Sequence, residues 1–346
     1  MNDPLVVEVT RGSSVESRHL VDVALVDGVG KTVDGWGEFD RPTLPRSSLK
    51  PIQATPLIVE GIADAAGLTN EQLAIACSSH NGETRHVQVV DRWLETLGVS
   101  HRVLECGAHF PGDSVAARDL VLAGVEPDSR HNNCSGKHTG FIAISNYFEL
   151  DPSGYISPEH PVMKGFVTPA IEEFCRIDLS EQTPGVDGCG VPVWSIPLHH
   201  LAVGWSQLRA RGAGSRLLQA MIREPFLVAG SGRACTRLIE SADGTAVVKT
   251  GAEGVFCGVD LRQGFAFALK ARDGHARAAE TAAEWMLDRL GCVEHASPKV
   301  LRNWAGTNVG EIRIASRGAL KWRLTLSYWL NLKLGWILNV FNPMLT

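Results

Sequence analysis

Strand patterns stand at both ends of this chain with a long helical stretch between them, so a single compact fold must bring the two ends together in one sheet. Leu5 to Thr10 and His19 to Val26 read as strands, joined by Arg11-Gly12-Ser13 and followed by the turn-rich Asp27-Gly28-Val29-Gly30. Far along the chain, Ala246 to Thr250, Gly254 to Asp260 and Phe265 to Ala271 form three more strand patterns separated by tight turns. His275 to Leu290 then reads as a strongly amphipathic helix. The middle is helical from Ile52 through Ile62 up to Gly67 with a kink at Pro56, and again over Glu83 to Leu97, Phe141 to Phe148, His160 to Phe174, His199 to Arg209 and Ser215 to Glu224. One short apolar run, Leu73 to Cys77, reads as a strand. No repeat, low-complexity tract or linker divides residues 1–310. The expectation is an α+β fold in one domain, residues 1–313, with a sheet built from N- and C-terminal strands and helices packed on it.

With 346 residues, 44% of them hydrophobic, the chain can bury a full core, and interspersed charges summing to -5 give no footprint for nucleic acid. The first residues show no basic start followed by an apolar core, so the expected compartment is the cytoplasm. Cys77, Cys106, Cys134, Cys175, Cys189, Cys235, Cys257 and Cys292 are scattered rather than closely spaced, which is not a disulfide framework.

The chemistry-bearing stretch is Arg46-Ser47-Ser48-Leu49-Lys50-Pro51. Ser47 and Lys50 are three apart, on one helical face, and the positive end of a helix disfavours an ammonium there. A desolvated lysine can take the proton that makes a serine hydroxyl nucleophilic. Alone, S-x-x-K reads as a capped helix start with a solvated lysine. About two hundred residues later comes Lys249-Thr250-Gly251, and β-lactamases and penicillin-binding proteins pair S-x-x-K with such a K-T-G. Between them lie three further loops. Ser78-Ser79-His80-Asn81-Gly82-Glu83 suits catalytic side chains or a plain helix cap. His131 to Gly140 carries Cys134 and Lys137, and Val186 to Pro192 carries Asp187 and Cys189. Metal or thiol chemistry on the last two competes with buried cysteines in turns, because lysine ligates metal only as a neutral amine.

Together these residues resemble the zinc-binding, rhizobial-type L-asparaginase II family over about Val6 to Arg313. The motifs are Arg11 to His19, Arg46 to Pro51, Cys77 to Glu83, Asn132 to Gly140, Asp187 to Pro192, Cys235 and Lys249 to Gly254. The resemblance implies a serine β-lactamase/glutaminase-like fold, a homodimer and hydrolysis of L-asparagine. It implies serine-lysine pairs at Ser47 with Lys50 and Ser79 with Lys249, substrate contacts from Arg46, His80, Asp187 and Cys235, and zinc on Cys134, Lys137 and Cys189. The alternatives are a penicillin-binding or glutaminase-like acyl-serine enzyme and a catalytically silent zinc-binding homologue. Ile314 to Thr346 departs from the family: it is basic, lacks Asp and Glu, and spaces Trp322, Trp329 and Trp336 seven apart. That spacing would suit a membrane-surface helix, but a terminal extension or altered reading frame is the expectation preferred.

Overall fold

The computed structural model describes residues 3–294 and 297–315; the Trp-striped tail therefore lies outside the described residues apart from its first two positions. The fold rests on an antiparallel sheet of eight strands: β1 (Leu5–Arg11), β2 (Ser14–Val26), β3 (Thr32–Trp36), β4 (Ala246–Thr250), β5 (Val255–Asp260), β6 (Ala266–Ala271), β7 (Lys299–Arg302) and β8 (Asn308–Ile314). Their order is β7-β8-β1-β2-β6-β5-β4, with β3 paired to β2 off that path.

The long β2 holds the two ends of the chain together. Residues 14–21 of it pair with β1, and residues 21–26 pair with β6. Val23 faces Trp36 on one side and Leu269 on the other, so β1 and β3 occupy successive halves of the same edge of β2. β8 closes on β1, with Val7 opposite Ile314 and Val9 opposite Ile312. This is the expected sheet of N- and C-terminal strands.

Seven helices set up the site: α1 (Lys50–Gln53), α2 (Asn70–Ala76), α3 (Thr84–Thr96), α4 (Ser135–Tyr147), α5 (Leu198–Ala210), α6 (Ala234–Ser241) and α7 (Ala276–Arg289). Both α5 and α7 lie on the sheet, while α2, α3 and α4 pack on one another. Trp205 of α5 donates its indole N–H to the Ser48 carbonyl at 3.2 Å, pinning the start of the S-x-x-K segment to the sheet-covering layer. Among the described residues no helix is long and apolar enough to cross a membrane.

The run expected as a strand, Leu73 to Cys77, is instead the end of α2. Thr69 and Gln72 form a reciprocal capping box ahead of it, and Leu73 through Ala76 are all buried. An apolar segment buried on every side carries no period that separates helix from strand. The helix expected from Ile52 to Gly67 breaks into α1, Pro56–Val59 and Ile62–Ala65, interrupted at Pro56 and at Gly61, whose φ is 73°. His160 to Phe174 is likewise not one α-helix: a π turn, Met163–Val167, precedes Thr168–Cys175. The helix expected from Phe141 begins six residues earlier at Ser135, which places Lys137 in its first turn.

That early start depends on Gly136. An added Cβ there would collide with the carbonyl oxygen of Ile75, so α4 crosses α2 at backbone contact. Gly136→Ala should lower unfolding free energy by about 1–3 kcal/mol through overpacking, read as a lower denaturant midpoint. An unchanged midpoint would show that the two helices do not meet this closely.

Candidate active site

The S-x-x-K segment forms a 3-10 turn, Arg46–Leu49, that runs into α1 at Lys50. Pro51 takes a first-turn position, where a missing N–H costs nothing. Arg46, the first residue of that turn, has φ 51°, in the left-handed region. The K-T-G end of β4 lies directly against this turn: a Cβ on Gly251 would strike the carbonyl of Pro45 at 2.5 Å. Glycine is therefore what lets strand and turn meet.

Lys50 and Lys249 are both fully buried, and both reach Ser79. Lys249 Nζ lies 2.8 Å from Ser79 Oγ and donates to the Thr250 carbonyl at 2.9 Å. Lys50 Nζ lies 3.0 Å from the same oxygen and donates to the carbonyls of Ser78 and Asn133. Ser79 itself follows α2, and its backbone N–H is held by the Val228 carbonyl at 3.0 Å. Ser47, by contrast, is partly exposed and its hydroxyl makes no hydrogen bond among the described residues. The geometry brings Ser79, Lys50 and Lys249 into one cluster and leaves Ser47 beside it.

Burial pushes Lys249 down to about 7, helped by the neighbouring charge of Lys50 and opposed by Cys235. No carboxylate pairs with either lysine among the described residues; their hydrogen bonds go to Ser79 and to carbonyl oxygens. At neutral pH a large fraction of Lys249 is thus an uncharged amine able to accept a proton.

The remaining expected residues fall around this cluster. His80 is buried and lies close to Ser135 Oγ through Nε2 at 2.9 Å, while Nδ1 accepts the Gly82 N–H at 3.0 Å. Burial holds its pKa well below the ordinary value, so it stays neutral and braces the loop. Cys235, on α6, accepts the Thr250 N–H at 3.2 Å and has its thiol pKa raised by burial. Arg46 Nε donates to Asp187 Oδ1 at 2.6 Å, and the Gly188 N–H donates to the same oxygen at 2.8 Å. Burial works against the Asp187 charge, yet Lys137 and Arg46 outweigh it and hold the pKa below the ordinary range.

Cys134, Lys137 and Cys189 also meet, all three buried, with Lys137 Nζ donating to Cys189 Sγ at 3.1 Å. A shared hydrogen bond with Cys189 lowers Cys134 well below the usual thiol range, and the same contact raises Cys189. Burial opposes the ammonium of Lys137, but the two sulfurs overcome it and raise its pKa. His138 adds a buried Nε2 with no hydrogen-bond partner, its Nδ1 lying 2.5 Å from the Tyr155 hydroxyl. Among the described residues no three His, Cys, Asp or Glu gather as a metal cage. Two sulfurs joined by one amine nitrogen nevertheless form a donor set of the soft kind that suits zinc once the lysine has lost its proton.

A family model described as L-asparaginase II matches residues 7–321. This chain belongs to the L-asparaginase II family. The match spans every residue of the cluster just described. No curated protein matches the chain. Among solved structures, a candidate beta-lactamase from Bacteroides dorei DSM 17855 aligns with a TM-score of 0.37 at 9% identity, covering 79% of this chain and 88% of that one. A mutant of simvastatin synthase from Aspergillus terreus aligns with a TM-score of 0.32 at 12% identity, covering 76% of this chain and 88% of that one.

Three features of this site are absent from the sequence reading: the direction of Lys50 toward Ser79, the Asn133 carbonyl under Lys50, and Arg233, which donates to Asn81 Oδ1 at 2.6 Å. The first two need the crossing of α1, α2 and α4. The third had a sequence signal, Gly230-Ser231-Gly232 just before a helix.

The depressed Lys249 pKa also fixes how stability varies with pH. An unfolded lysine titrates near about 10.4, so between about 7 and 10 the unfolded chain binds the extra proton and stability rises with pH. Lys249→Met removes that linkage. Its melting temperature relative to the parent should be most favourable at pH 7 and below, and the difference should shrink as pH approaches 10. A difference that does not vary with pH would mean that Lys249 is not desolvated as described.

Proposed function

We propose that this asparaginase II protein hydrolyses L-asparagine to L-aspartate and ammonia through an acyl-enzyme on Ser79. The observation that supports this most directly is the Ser79 hydroxyl oxygen lying between two buried amines, 2.8 Å from Lys249 Nζ and 3.0 Å from Lys50 Nζ. In the reading proposed, Ser79 gives its proton to neutral Lys249 as Oγ attacks the side-chain amide carbon. Lys50 donates a hydrogen bond to the same oxygen and stabilises its developing negative charge. Lys249 then protonates the leaving nitrogen, ammonia departs, and the amine is neutral again. A water attacks the ester, Lys249 takes its proton, and the proton returns to Ser79 as the ester bond breaks.

Ser47 has a subsidiary part, offering a free hydroxyl beside the cluster to position substrate or water. In this reading Asp187 takes the substrate ammonium on Oδ2, which is supported by Arg46 and Gly188 both bonding Oδ1. Zinc on Cys134, Lys137 and Cys189 belongs to the same reading. When bound there it would replace the protons of the lysine and thiols and add positive charge near Asp187. A homodimer is also part of the proposal. What supports it is the Ser114–Ala123 helix, which buries none of its residues and exposes Val115, Val121 and Leu122.

Ser79→Ala should reduce ammonia release from L-asparagine by about 10³-fold or more while the melting transition is retained, and Ser47→Ala should leave measurable turnover. A Ser79→Ala enzyme with near-parent activity would refute the nucleophile assignment. In the parent enzyme kcat/KM should climb with pH through about 7 as Lys249 deprotonates. A profile flat between pH 6 and 8 would argue against Lys249 as the base.

A further inference from the structure

Basic side chains crowd this site, and most of them are already engaged. Lys50 and Lys249 bond to Ser79, Arg46 is paired with Asp187, and Lys137 stands against the Cys189 sulfur. Arg233 differs. Its guanidinium makes one side-chain hydrogen bond, Nη1 to Asn81 Oδ1 at 2.6 Å, and no carboxylate lies within ion-pair distance among the described residues. Glu83, the acid of this network, is occupied by the Ser231 N–H at 2.8 Å and the Ser231 hydroxyl at 2.7 Å.

The segment around Arg233 is built to hold it at the catalytic cluster. Arg233 is the N-cap residue of α6 and follows a turn in which Gly230 and Gly232 have φ of 108° and 69°. A Cβ on Gly230 would collide with the Glu83 carboxylate and crowd Asn81, so glycine allows the turn to close on the Ser79 loop. Asn81, which receives the Arg233 bond, stands two residues after Ser79. Two residues after Arg233, Cys235 accepts the N–H next to Lys249. Arg233 is thereby fixed between the segment of the nucleophile and the strand of the base, and its positive charge is one of those that depress Lys249. Among the described residues its Nε and Nη2 have no protein acceptor, and such a half-buried guanidinium can bind a carboxylate through two parallel bonds.

Resting on the asparaginase reading above, we propose that Arg233 anchors the α-carboxylate of the substrate, so that the enzyme selects free amino-acid amides over amides lacking that group. Asn81 holds the guanidinium in orientation, and the reacting amide reaches Ser79 from a carboxylate fixed at the other end of the substrate. Anchoring of this kind lowers KM and leaves the chemistry at the amide to Ser79 and its lysines.

The test is steady-state ammonia release by the parent, Arg233→Lys and Arg233→Gln. The substrates are L-asparagine and 3-aminopropanamide, the same amide without its α-carboxylate, with L-aspartate as product inhibitor and melting temperatures recorded alongside. Arg233→Gln should raise KM for L-asparagine and the inhibition constant of L-aspartate together, by about 10- to 100-fold, with kcat changed by less than about 3-fold. Turnover of 3-aminopropanamide should be as poor in the variant as in the parent, and Arg233→Lys should fall between. An unchanged KM for L-asparagine in either variant overturns the proposal. Equal losses on both substrates also overturn it, since they would show a brace for the loop rather than a carboxylate site. Absence of ammonia release from L-asparagine by the parent itself would instead fail the asparaginase reading, and the anchor with it.

Discussion

Two lysine side chains buried with no carboxylate partner among the described residues are the costly feature around which this molecule is built. Removing an ammonium from water is unfavourable unless it is hydrogen-bonded or sheds its charge. Both responses are visible. Lys50 is surrounded by the carbonyls of Ser78 and Asn133, and Lys249 is pushed down to about 7 by its own burial and by Lys50. Lys249 also donates to the Thr250 carbonyl, and both lysines reach the same atom, Ser79 Oγ. A serine in that position has one neighbour able to take its proton and another to support the oxygen left behind.

The fold makes this arrangement possible by joining distant parts of the chain. Lys249 comes from an edge strand of a sheet whose other members include the first strands of the chain, and Lys50 from the turn that Trp205 ties to the covering helices. Gly251 against Pro45 and Gly136 against Ile75 are the two close approaches that bring β4 to the S-x-x-K turn and α4 to α2. Each requires the absence of a side chain, so the glycines of the motifs serve packing as directly as the serines and lysines serve chemistry.

Much of this was legible in the sequence because it is written in local pattern. The strands 246–250 and 266–271 and the amphipathic helix 276–289 show clear periods and turn residues, and the structure has them within a residue of expectation. Leu73 to Cys77 was not legible, since a segment buried on all sides has no amphipathic period. At the site, the motifs named the right loops but not their partners. The spacing of Ser47 and Lys50 suggests that they face each other, yet in the 3-10 turn that runs into α1 Lys50 is fully buried and reaches Ser79, while Ser47 stays partly exposed. Likewise local pattern alone does not join Lys137 to Cys134 and Cys189; their meeting depends on α4 beginning before Lys137.

The central claim is that Ser79, held by both lysines, forms the covalent bond with substrate. The direct measurement is peptide mass spectrometry on enzyme acid-quenched during turnover of L-asparagine, with fragmentation to locate the aspartyl adduct. The account predicts the adduct on Ser79 and its disappearance when Lys249 is replaced by Met. An adduct on Ser47, with Ser79 unmodified, would contradict it.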